Sequence, residues 1–418
     1  MENFLFEANT TETCSPGAEW PILLELASPT PDAGRLAGSL RGAVDWSALL
    51  TLAEDHGLLA LAAMRLRDCQ ESTVPSPIRQ KLREWQRAHT LSTLSMTAEL
   101  FRLLERFAAS GIETLAIKGP VLSVRCHGDP GMRQYGDLDL IVRSRDIRRT
   151  TELMLGLGYE PKVPLPAIDA GKIPGEYVFL RTETRLRVEF HTENTFRYYP
   201  RPLQLNGLFA RQACVQFDAH KVPALSPEDE LILISIHGAK HLWERLMWIA
   251  DVAALASRTP HLDWKRALSS ARELGAERIL NLGLRLSKEL LHAALPQEII
   301  PEVSSDERAG ELAVQIQRWL PTAGAVPPGL LERARFRMRL RGGFFSGTAY
   351  LLRLSLSPTE EDWAEGAGHR RPWLLDALRR PLRLARKYGH GARETSIPPQ
   401  EQNGLLEEPQ HEEKKARM

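Results

Sequence analysis

The sequence predicts an α+β fold, in which a small mixed sheet with its own helices is flanked by N-terminal and C-terminal helical regions. Up to about residue 111, apolar residues recur three and four positions apart, the spacing of amphipathic helices. Between residues 112 and 222, short apolar runs separated by turns indicate strands. From Ser226 onward the helical spacing returns. Strand, helix, strand, helix and hairpin in the middle region are typical of a compact α/β layer rather than a long Rossmann array.

This pattern divides the chain into five segments. The first 18 residues are polar and mixed and the tail lacks core residues, so both ends are predicted to be disordered. The longest helix is expected to begin at Ser76-Pro77, with Ser76 as its N-cap, and to stop near Gly111. The segments are a disordered N-terminus (1–18), an N-terminal helical region (19–111), a central core with the mixed sheet (112–222), a C-terminal helical domain (223–390) and a disordered tail (391–418).

Composition excludes several classes of protein. Hydrophobic residues make up 43% of the 418 residues and charged residues 26%, which is ordinary for a soluble globular protein of two or three domains. The net charge of +1 predicts no global attraction to nucleic acid or to a membrane. The four cysteines form no CxxC pair, which disfavours a zinc site or a disulfide framework. Because no signal peptide and no run of about 18 apolar residues is found, we expect a cytoplasmic protein without a membrane span.

The helices and strands can be placed one by one from the spacing of their apolar residues and from the turn residues between them. In the middle region they are a strand at 114–117, a turn at 118–120, a helix at 120–126, a strand at 137–142, a helix at 144–156 with Ser144 as cap, and a hairpin of 177–180 and 186–191. Asp45 before Trp46 is expected to cap a helix, and Ser226-Pro227 is a strong helix start. Further helices are predicted around 262–274, 276–293, 306–319, 328–341 and 371–388. The last of these is basic and amphipathic, so we favour a packing helix over one that binds RNA or acidic lipid.

Two aspartates mark the candidate site. Asp137 and Asp139 lie two residues apart on one strand, so their side chains share a face about 6 to 7 Å apart. The alternate residues Leu138, Leu140 and Val142 point to the other face, into a core. Two carboxylates fixed in this way repel each other unless a cation lies between them, and Mg²⁺ prefers oxygen ligands. The pattern therefore predicts a metal–phosphate site, with two solvated acids at a strand end as the alternative.

A third carboxylate follows from the strand Arg187-Val188-Glu189-Phe190-His191. By strand alternation Arg187, Glu189 and His191 share one face. If this strand pairs beside 137–142, Glu189 joins the two aspartates. Three carboxylates can hold two Mg²⁺ ions for an in-line displacement at phosphorus, and the third can help to deprotonate the attacking hydroxyl. The alternative for Glu189 is an acid at a sheet edge.

Phosphate contacts are predicted at the turn and at two basic residues. Gly119 after Lys118 lets backbone N–H groups approach a phosphate at a helix N-terminus, although Pro120 removes one of these donors. Arg133 lies four residues before Asp137, close enough to contact a triphosphate, or else to pair with a nearby acid.

A helical segment after the sheet carries two histidines. His237 and His241 are four residues apart, with Lys240 between them. We favour structural roles or a place on the cleft wall over a metal site, because no third ligand is indicated by spacing.

Taken together, these motifs resemble the DNA-polymerase-β-like nucleotidyltransferase superfamily and, within it, the uncharacterised nucleotidyltransferases of the NTP_transf_5 type. The segments that carry the resemblance are 116–119, 133–142, 157–159, 188–191 and 237–243, with a weaker match at 380–388. The resemblance implies that Asp137, Asp139 and Glu189 are the catalytic metal ligands. It also implies that Gly119 holds phosphate, where the superfamily usually has a serine in place of Pro120.

The resemblance further implies a Mg²⁺-dependent enzyme with two metal ions and an NTP donor. Its reaction would move a nucleoside monophosphate to a hydroxyl acceptor and release pyrophosphate. Beside Gly119, the charge and position of Lys118, Arg133 and Lys240 make them the predicted nucleotide contacts. Two alternatives stay open: a non-catalytic nucleotide-binding or interaction protein on the same fold, and a toxin- or antitoxin-type nucleotidyltransferase acting on protein or tRNA. Nucleic acid is a disfavoured partner, and the sequence does not determine the acceptor, the base or the oligomeric state.

Overall fold

The structure, a computed structural model, describes residues 17–69, 73–162, 176–193, 203–322 and 329–341, with the single positions 165, 168, 201, 347 and 348. The described helices are α1 (Glu19–Ala27), α2 (Ala33–Leu40), α3 (Trp46–Asp55), α4 (Leu59–Arg67), α5 (Ser76–Ala109), α6 (Gly119–His127), α7 (Ile147–Gly156), α8 (Leu205–Ala210), α9 (Pro227–Lys240), α10 (Leu246–Arg258), α11 (Trp264–Glu273), α12 (Glu277–Leu291), α13 (Ile300–Ser305), α14 (Glu307–Trp319) and α15 (Leu330–Arg339). The strands are β1 (Thr114–Ile117), β2 (Asp137–Val142), β3 (Tyr159–Pro161), β4 (Glu176–Arg181), β5 (Arg187–His191), β6 (Ala213–Phe217) and β7 (His220–Ala224).

Within the described residues, the seven strands form one mixed sheet in the order β3-β4-β5-β2-β1-β7-β6. Strands β4 and β5 form the predicted antiparallel hairpin. Strand β5 lies parallel to β2, and β2 is antiparallel to β1. The α+β prediction is therefore confirmed, and so is the pairing that brings the Glu189 strand beside the two aspartates.

One face of this sheet is buried against the long helix α5. Leu138, Leu140 and Val142 of β2 and Val188 and Phe190 of β5 belong to one buried apolar cluster. Helix α5 supplies a row of buried side chains to the same cluster, namely Met96, Leu100, Leu103 and Phe107. Since strand side chains alternate, burying this face turns the acids of both strands to the opposite face.

The helices before and after the sheet pack into a second, larger core. Most of its buried residues come from α1 to α4 and from α9 to α15, so the two ends of the described chain share one apolar cluster. Leu115, Ile117 and Ile141 of β1 and β2 belong to the same cluster and join it to the sheet. A buried ion pair between Arg125 and Glu230 connects α6 to α9. Among the described helices, none combines the length and apolar character needed to cross a membrane. The division of the chain at residues 111 and 222 stays a prediction.

Helix ends test the local predictions. The Asp45 and Ser226 side chains accept hydrogen bonds from the N–H groups of Ala48 and Asp229, as predicted caps do. The expected caps at Ser76 and Ser144 are wrong. Ser76 is the first residue of α5, and Ser144 begins a 3₁₀ turn before α7. The Ser144 N–H donates to Glu193, so a contact distant in sequence takes the place of the local cap.

Several predictions lie outside the described residues. These are the disordered ends, except for positions 17 and 18, and the basic helix at 371–388.

A buried histidine gives the fold a pH dependence. The His56 ring is 1% exposed, and its Nδ1 accepts a hydrogen bond of 3.1 Å from the Leu246 N–H. Burial, and then the charge of Arg245, lower the pKa of His56 to about 4. As the pH falls below the usual value of about 6.5, the unfolded chain binds a proton here before the folded chain does. We expect this residue to lower the free energy of unfolding by about 2 kcal/mol between pH 7 and pH 5.

Urea unfolding at the two pH values measures this effect. The matched variant is His56→Asn, whose side-chain oxygen can accept the same N–H and does not titrate. Its loss of stability between pH 7 and pH 5 should be smaller than that of the wild type by about the same 2 kcal/mol. Equal losses would contradict the assignment.

Candidate metal and nucleotide site

The acids of the sheet converge where β2 and β5 run side by side. Asp139 is paired in register with Glu189, and Asp137 with Arg187. Carboxylate oxygens of Asp139 and Glu189 and a ring nitrogen of His191 all lie within 4.8 Å of one another. All three residues are buried, and Asp139 is only 4% exposed. In the part of the chain that the structure describes, this is the only such group of metal-type ligands.

Asp139 is the most heavily contacted carboxylate of the group. Its Oδ1 atom lies 3.1 Å from the Lys118 Nζ and 2.6 Å from the His191 Nε2. Burial alone would raise the pKa of Asp139, but the Lys118 ammonium and the His191 contact hold it well below its usual range. Asp139 is therefore a permanent negative charge in a site largely removed from water.

Asp137 behaves in the opposite way. Burial, followed by the charges of Asp139 and Glu189, raises the pKa of Asp137 to about 7. The rise in the pKa of Asp137 therefore reflects burial first and then the negative charge concentrated on this face of the sheet. The Arg187 guanidinium, in contact with Glu189, and the Lys118 ammonium are the cations that offset it.

The turn after β1 brings a cation and backbone donors to the same place. Lys118 has φ of 52° and Gly119 has φ of 43°, a left-handed path that turns the chain sharply into α6. A Cβ on Gly119 would lie 3.5 Å from the carbonyl oxygen of Asp137, so the turn abuts the start of β2. Burial opposes the charge on Lys118, but Asp139, Asp137 and Glu189 together raise its pKa.

Pro120 has little effect on the hydrogen-bond donors of this turn. It lies in the first turn of α6, where backbone N–H groups have no partner within the helix. The proline therefore removes one of several free donors at the helix N-terminus and leaves the helix intact.

Arg133 is buried in an ion pair. Its Nε lies 3.1 and 3.0 Å from the two carboxylate oxygens of Asp251 on α10. This is the alternative to phosphate binding that the sequence left open. The pair joins the loop before β2 to the C-terminal helices.

The end of α9 forms a wall close to these acids. Burial, and then the charge of Lys118, lower the pKa of His237 well below its usual value. For His241, burial and then the charges of Lys240 and Lys118 lower the pKa to about 3. Both rings are neutral at pH 7 and contact Trp248. This segment is a neighbour of the Lys118 turn, and its histidines belong to no metal-ligand group among the described residues.

Lys240 reaches from the same wall to the sheet. Its Nζ lies 3.4 Å from an Oε1 of Glu176 on β4, and Glu176 is paired in register with His191. The structure therefore places Lys118 against Asp139 and Gly119 near the start of β2, whereas Lys240 contacts β4, the strand next to β5.

The family follows from a sequence comparison. The profile of the uncharacterised nucleotidyltransferases, NTP_transf_5, matches residues 42–292, which is more than half of the chain. The chain belongs to this nucleotidyltransferase family. No curated protein matches the sequence.

Solved structures similar to this nucleotidyltransferase-family chain cover parts of it. A lincosamide antibiotic adenylyltransferase with lincomycin bound is 17% identical, with a TM-score of 0.28 over 39% of this chain and 97% of that one. An antigenic nucleotidyltransferase-like protein from Paracoccidioides brasiliensis is 17% identical, with a TM-score of 0.30 over 49% and 94%. A tRNA-processing enzyme is 14% identical, with a TM-score of 0.26 over 71% and 90%. Likenesses this weak carry no substrate or residue role to this chain.

His191 was not assigned to the candidate site from the sequence. Strand alternation placed His191 on the same face as Glu189, but the residue was not assigned to the site. The signal was present in the VEFH segment, since a histidine two residues after a candidate ligand points the same way. What the sequence lacked was the pairing that sets His191 against Asp139.

Proposed function

We propose that this chain transfers a nucleoside monophosphate from an NTP to a hydroxyl group of an acceptor, releasing pyrophosphate, in a Mg²⁺-dependent reaction. The observation that carries the proposal is the buried convergence of Asp139 and Glu189, beside Asp137, with the Lys118 turn of a nucleotidyltransferase-family chain. Concentrated carboxylate charge next to phosphate-type donors is the arrangement that phosphoryl chemistry uses.

The residues present fit a divalent cation. Three carboxylates supply hard oxygen donors, and their mutual repulsion, visible in the raised pKa of Asp137, is relieved by a bound cation. Asp137, Asp139 and Glu189 would hold two ions. Bound there, such ions would supply positive charge to offset the donor phosphates and would favour ionisation of the acceptor hydroxyl.

The rest of the site holds the donor. The Lys118 ammonium is charged and forms an ion pair with Asp139. Because the lysine side chain is flexible, the ammonium can turn from Asp139 toward a phosphate oxygen. The Gly119 turn offers the free N–H groups of α6 to the same phosphates. Lys240 binds the triphosphate from the α9 wall. Glu189, which pairs with Arg187 and not with Lys118, is the candidate to accept the proton of the attacking hydroxyl.

The sequence predicted Arg133 as a possible triphosphate contact, but in this proposal it has a smaller role. Both oxygens of Asp251 hold its Nε, so its charge acts on the site from behind the loop that leads to Asp137. A direct contact with phosphate would have to come from the Nη1 and Nη2 groups of Arg133, because its Nε is engaged by Asp251.

Labelled nucleotides test the proposal. The protein is incubated with each α-labelled NTP, Mg²⁺ and cell extract, and pyrophosphate release is measured along with the place where label appears. Label on a small hydroxyl compound with matching pyrophosphate supports the proposal. Label on protein or tRNA supports the toxin-type alternative. Saturable NTP binding without pyrophosphate from any extract overturns the proposal in favour of a binding protein.

Lys118→Met separates metal binding from phosphate binding. The ammonium neutralises Asp139 when no metal is bound, so its removal should tighten Mg²⁺ binding to the nucleotide-free protein. The same change removes a phosphate contact, so the KM for NTP should rise about tenfold, the value of one charge-assisted contact. Isothermal titration with Mg²⁺ and initial rates of pyrophosphate release measure the two effects. Shifts in the same direction would contradict the double role of Lys118.

A further inference from the structure

His191 is held where a metal ligand would be. It lies on β5, two residues after Glu189, and its side chain is buried beside Asp139. The Nε2 atom is 2.6 Å from the Asp139 Oδ1 and 4.0 Å from the Glu189 Oε2.

The distances between the ligand atoms of Asp139, Glu189 and His191 suit a single metal ion bound by all three residues. Neighbouring ligand atoms around an octahedral ion with bonds of about 2.1 Å lie about 3 Å apart, and opposite ones about 4.2 Å apart. The ligand atoms of Asp139, Glu189 and His191 fall near this range, with all separations within 4.8 Å. A histidine that served only to orient a carboxylate would need proximity to Asp139 alone, whereas Nε2 lies within 4.0 Å of a carboxylate oxygen of each acid.

We propose that His191 is a direct ligand of the cation held by Asp139 and Glu189, and that it makes this position prefer Mn²⁺ over Mg²⁺. The proposal rests on the proposed function only in placing a divalent cation at this face of the sheet. It changes the donor set from three carboxylates to two carboxylates and an imidazole.

The preference follows from ligand chemistry. Mg²⁺ binds imidazole poorly and is usually held by carboxylates, phosphates and water. Mn²⁺ accepts the same oxygen donors and gains more from a nitrogen ligand. Two carboxylates keep the position suited to a hard ion, so the nitrogen shifts the selectivity toward Mn²⁺. In the metal-free protein the 2.6 Å contact requires an Nε2–H that donates to the ionised Asp139. To act as a ligand, His191 would lose that proton from Nε2, and the neutral ring would then carry its proton on Nδ1.

Mn²⁺ binding to the full-length, nucleotide-free protein tests this without any turnover. Electron paramagnetic resonance of free Mn²⁺ gives the dissociation constant, and competition gives that of Mg²⁺. Pulsed measurements on the bound ion detect modulation from a directly coordinated ¹⁴N nucleus. We expect tighter binding of Mn²⁺ than of Mg²⁺, with a clear ¹⁴N signal.

The central variant is His191→Gln, whose amide can still donate to Asp139 but offers no imidazole nitrogen. We expect the Mn²⁺ affinity to fall by roughly tenfold or more, the Mg²⁺ affinity to fall less, and the ¹⁴N signal to vanish. His241→Gln is the matched control, since it removes the nearby histidine of the α9 wall and should leave the signal unchanged.

Three results overturn the proposal. They are bound Mn²⁺ without ¹⁴N modulation, a signal that survives in His191→Gln, and an unchanged ratio of Mn²⁺ to Mg²⁺ affinity in that variant. Each of them leaves the proposed nucleotidyl transfer intact, because that reaction is judged by pyrophosphate release. Conversely, absence of pyrophosphate with a normal ¹⁴N signal would overturn the proposed function and keep the assignment of His191.

Discussion

Asp139→Asn is expected to lower the rate of nucleotidyl transfer by roughly 10³-fold, because loss of a metal-binding charge removes several kcal/mol of transition-state stabilisation. Asp139 makes more of the contacts in the site than the other acids do. Its Oδ1 atom contacts both Lys118 and His191, and Glu189 is its partner on the neighbouring strand. Asparagine keeps the shape of the side chain and removes its charge. Initial rates of pyrophosphate release, with the acceptor found by the labelling screen, measure the effect.

Two controls keep this result interpretable. Glu113→Gln removes an acid that pairs with Arg143 outside the cluster, so its rate should stay close to that of the wild type. Asp139→Asn also leaves the Lys118 ammonium without its nearest partner, so its thermal midpoint must be measured. The double variant with Lys118→Met removes that unpaired charge. A folded Asp139→Asn protein with wild-type rates would refute the role of this carboxylate.

Gly238→Ala is expected to destabilise the fold by about 3 kcal/mol, the upper end of the usual cost of overpacking a core. Gly238 lies in α9, and a Cβ there would fall 2.4 Å from the Cζ3 of Trp243. That ring is completely buried and is also in close contact with Gly283 on α12. Because glycines lie on both sides of it, the ring has no room to move aside. Urea unfolding at pH 7 measures the loss.

A glycine with free space around it is the matched control. Gly156 lies at the end of α7, and no atom lies within 4 Å of a Cβ built there. Gly156→Ala should therefore be neutral or stabilise the protein by up to about 1 kcal/mol, through helix propensity alone. A second variant, Gly238→Ala with Trp243→Leu, replaces the clashing ring and should recover part of the stability relative to Trp243→Leu alone. Equal effects of the two glycine substitutions would rule out the clash.

The Gly238–Trp243 contact also explains how α9 ends beside the site. Leu242 and Trp243 both have positive φ, and the Trp243 N–H donates to the Gly238 carbonyl. Non-glycine residues adopt this conformation only when surrounding contacts impose it. Here burial of the tryptophan ring supplies those contacts, and the last turn of α9 presents His237, Lys240 and His241 beside Lys118.

The sequence by itself determined the features that depend on local period and local chemistry. Alternation along 137–142 and 187–191 assigned core and acid faces correctly, because a strand side chain's face depends only on its position. Asp45 and Ser226 were identified as caps because a cap bonds within three residues. The family could also be named, since its motif residues lie in short contiguous segments.

Only the tertiary structure decided which distant groups meet. Strand pairing set Glu189 beside Asp139 and brought His191 into contact with it, whereas alternation gives a face and no neighbour. Packing of α10 gave Arg133 a buried partner in Asp251, which no spacing in the sequence indicates. The physical reason is the same in each case. Period and capping act over a few residues, but ion pairs and metal-ligand groups are selected by burial among segments far apart in the chain.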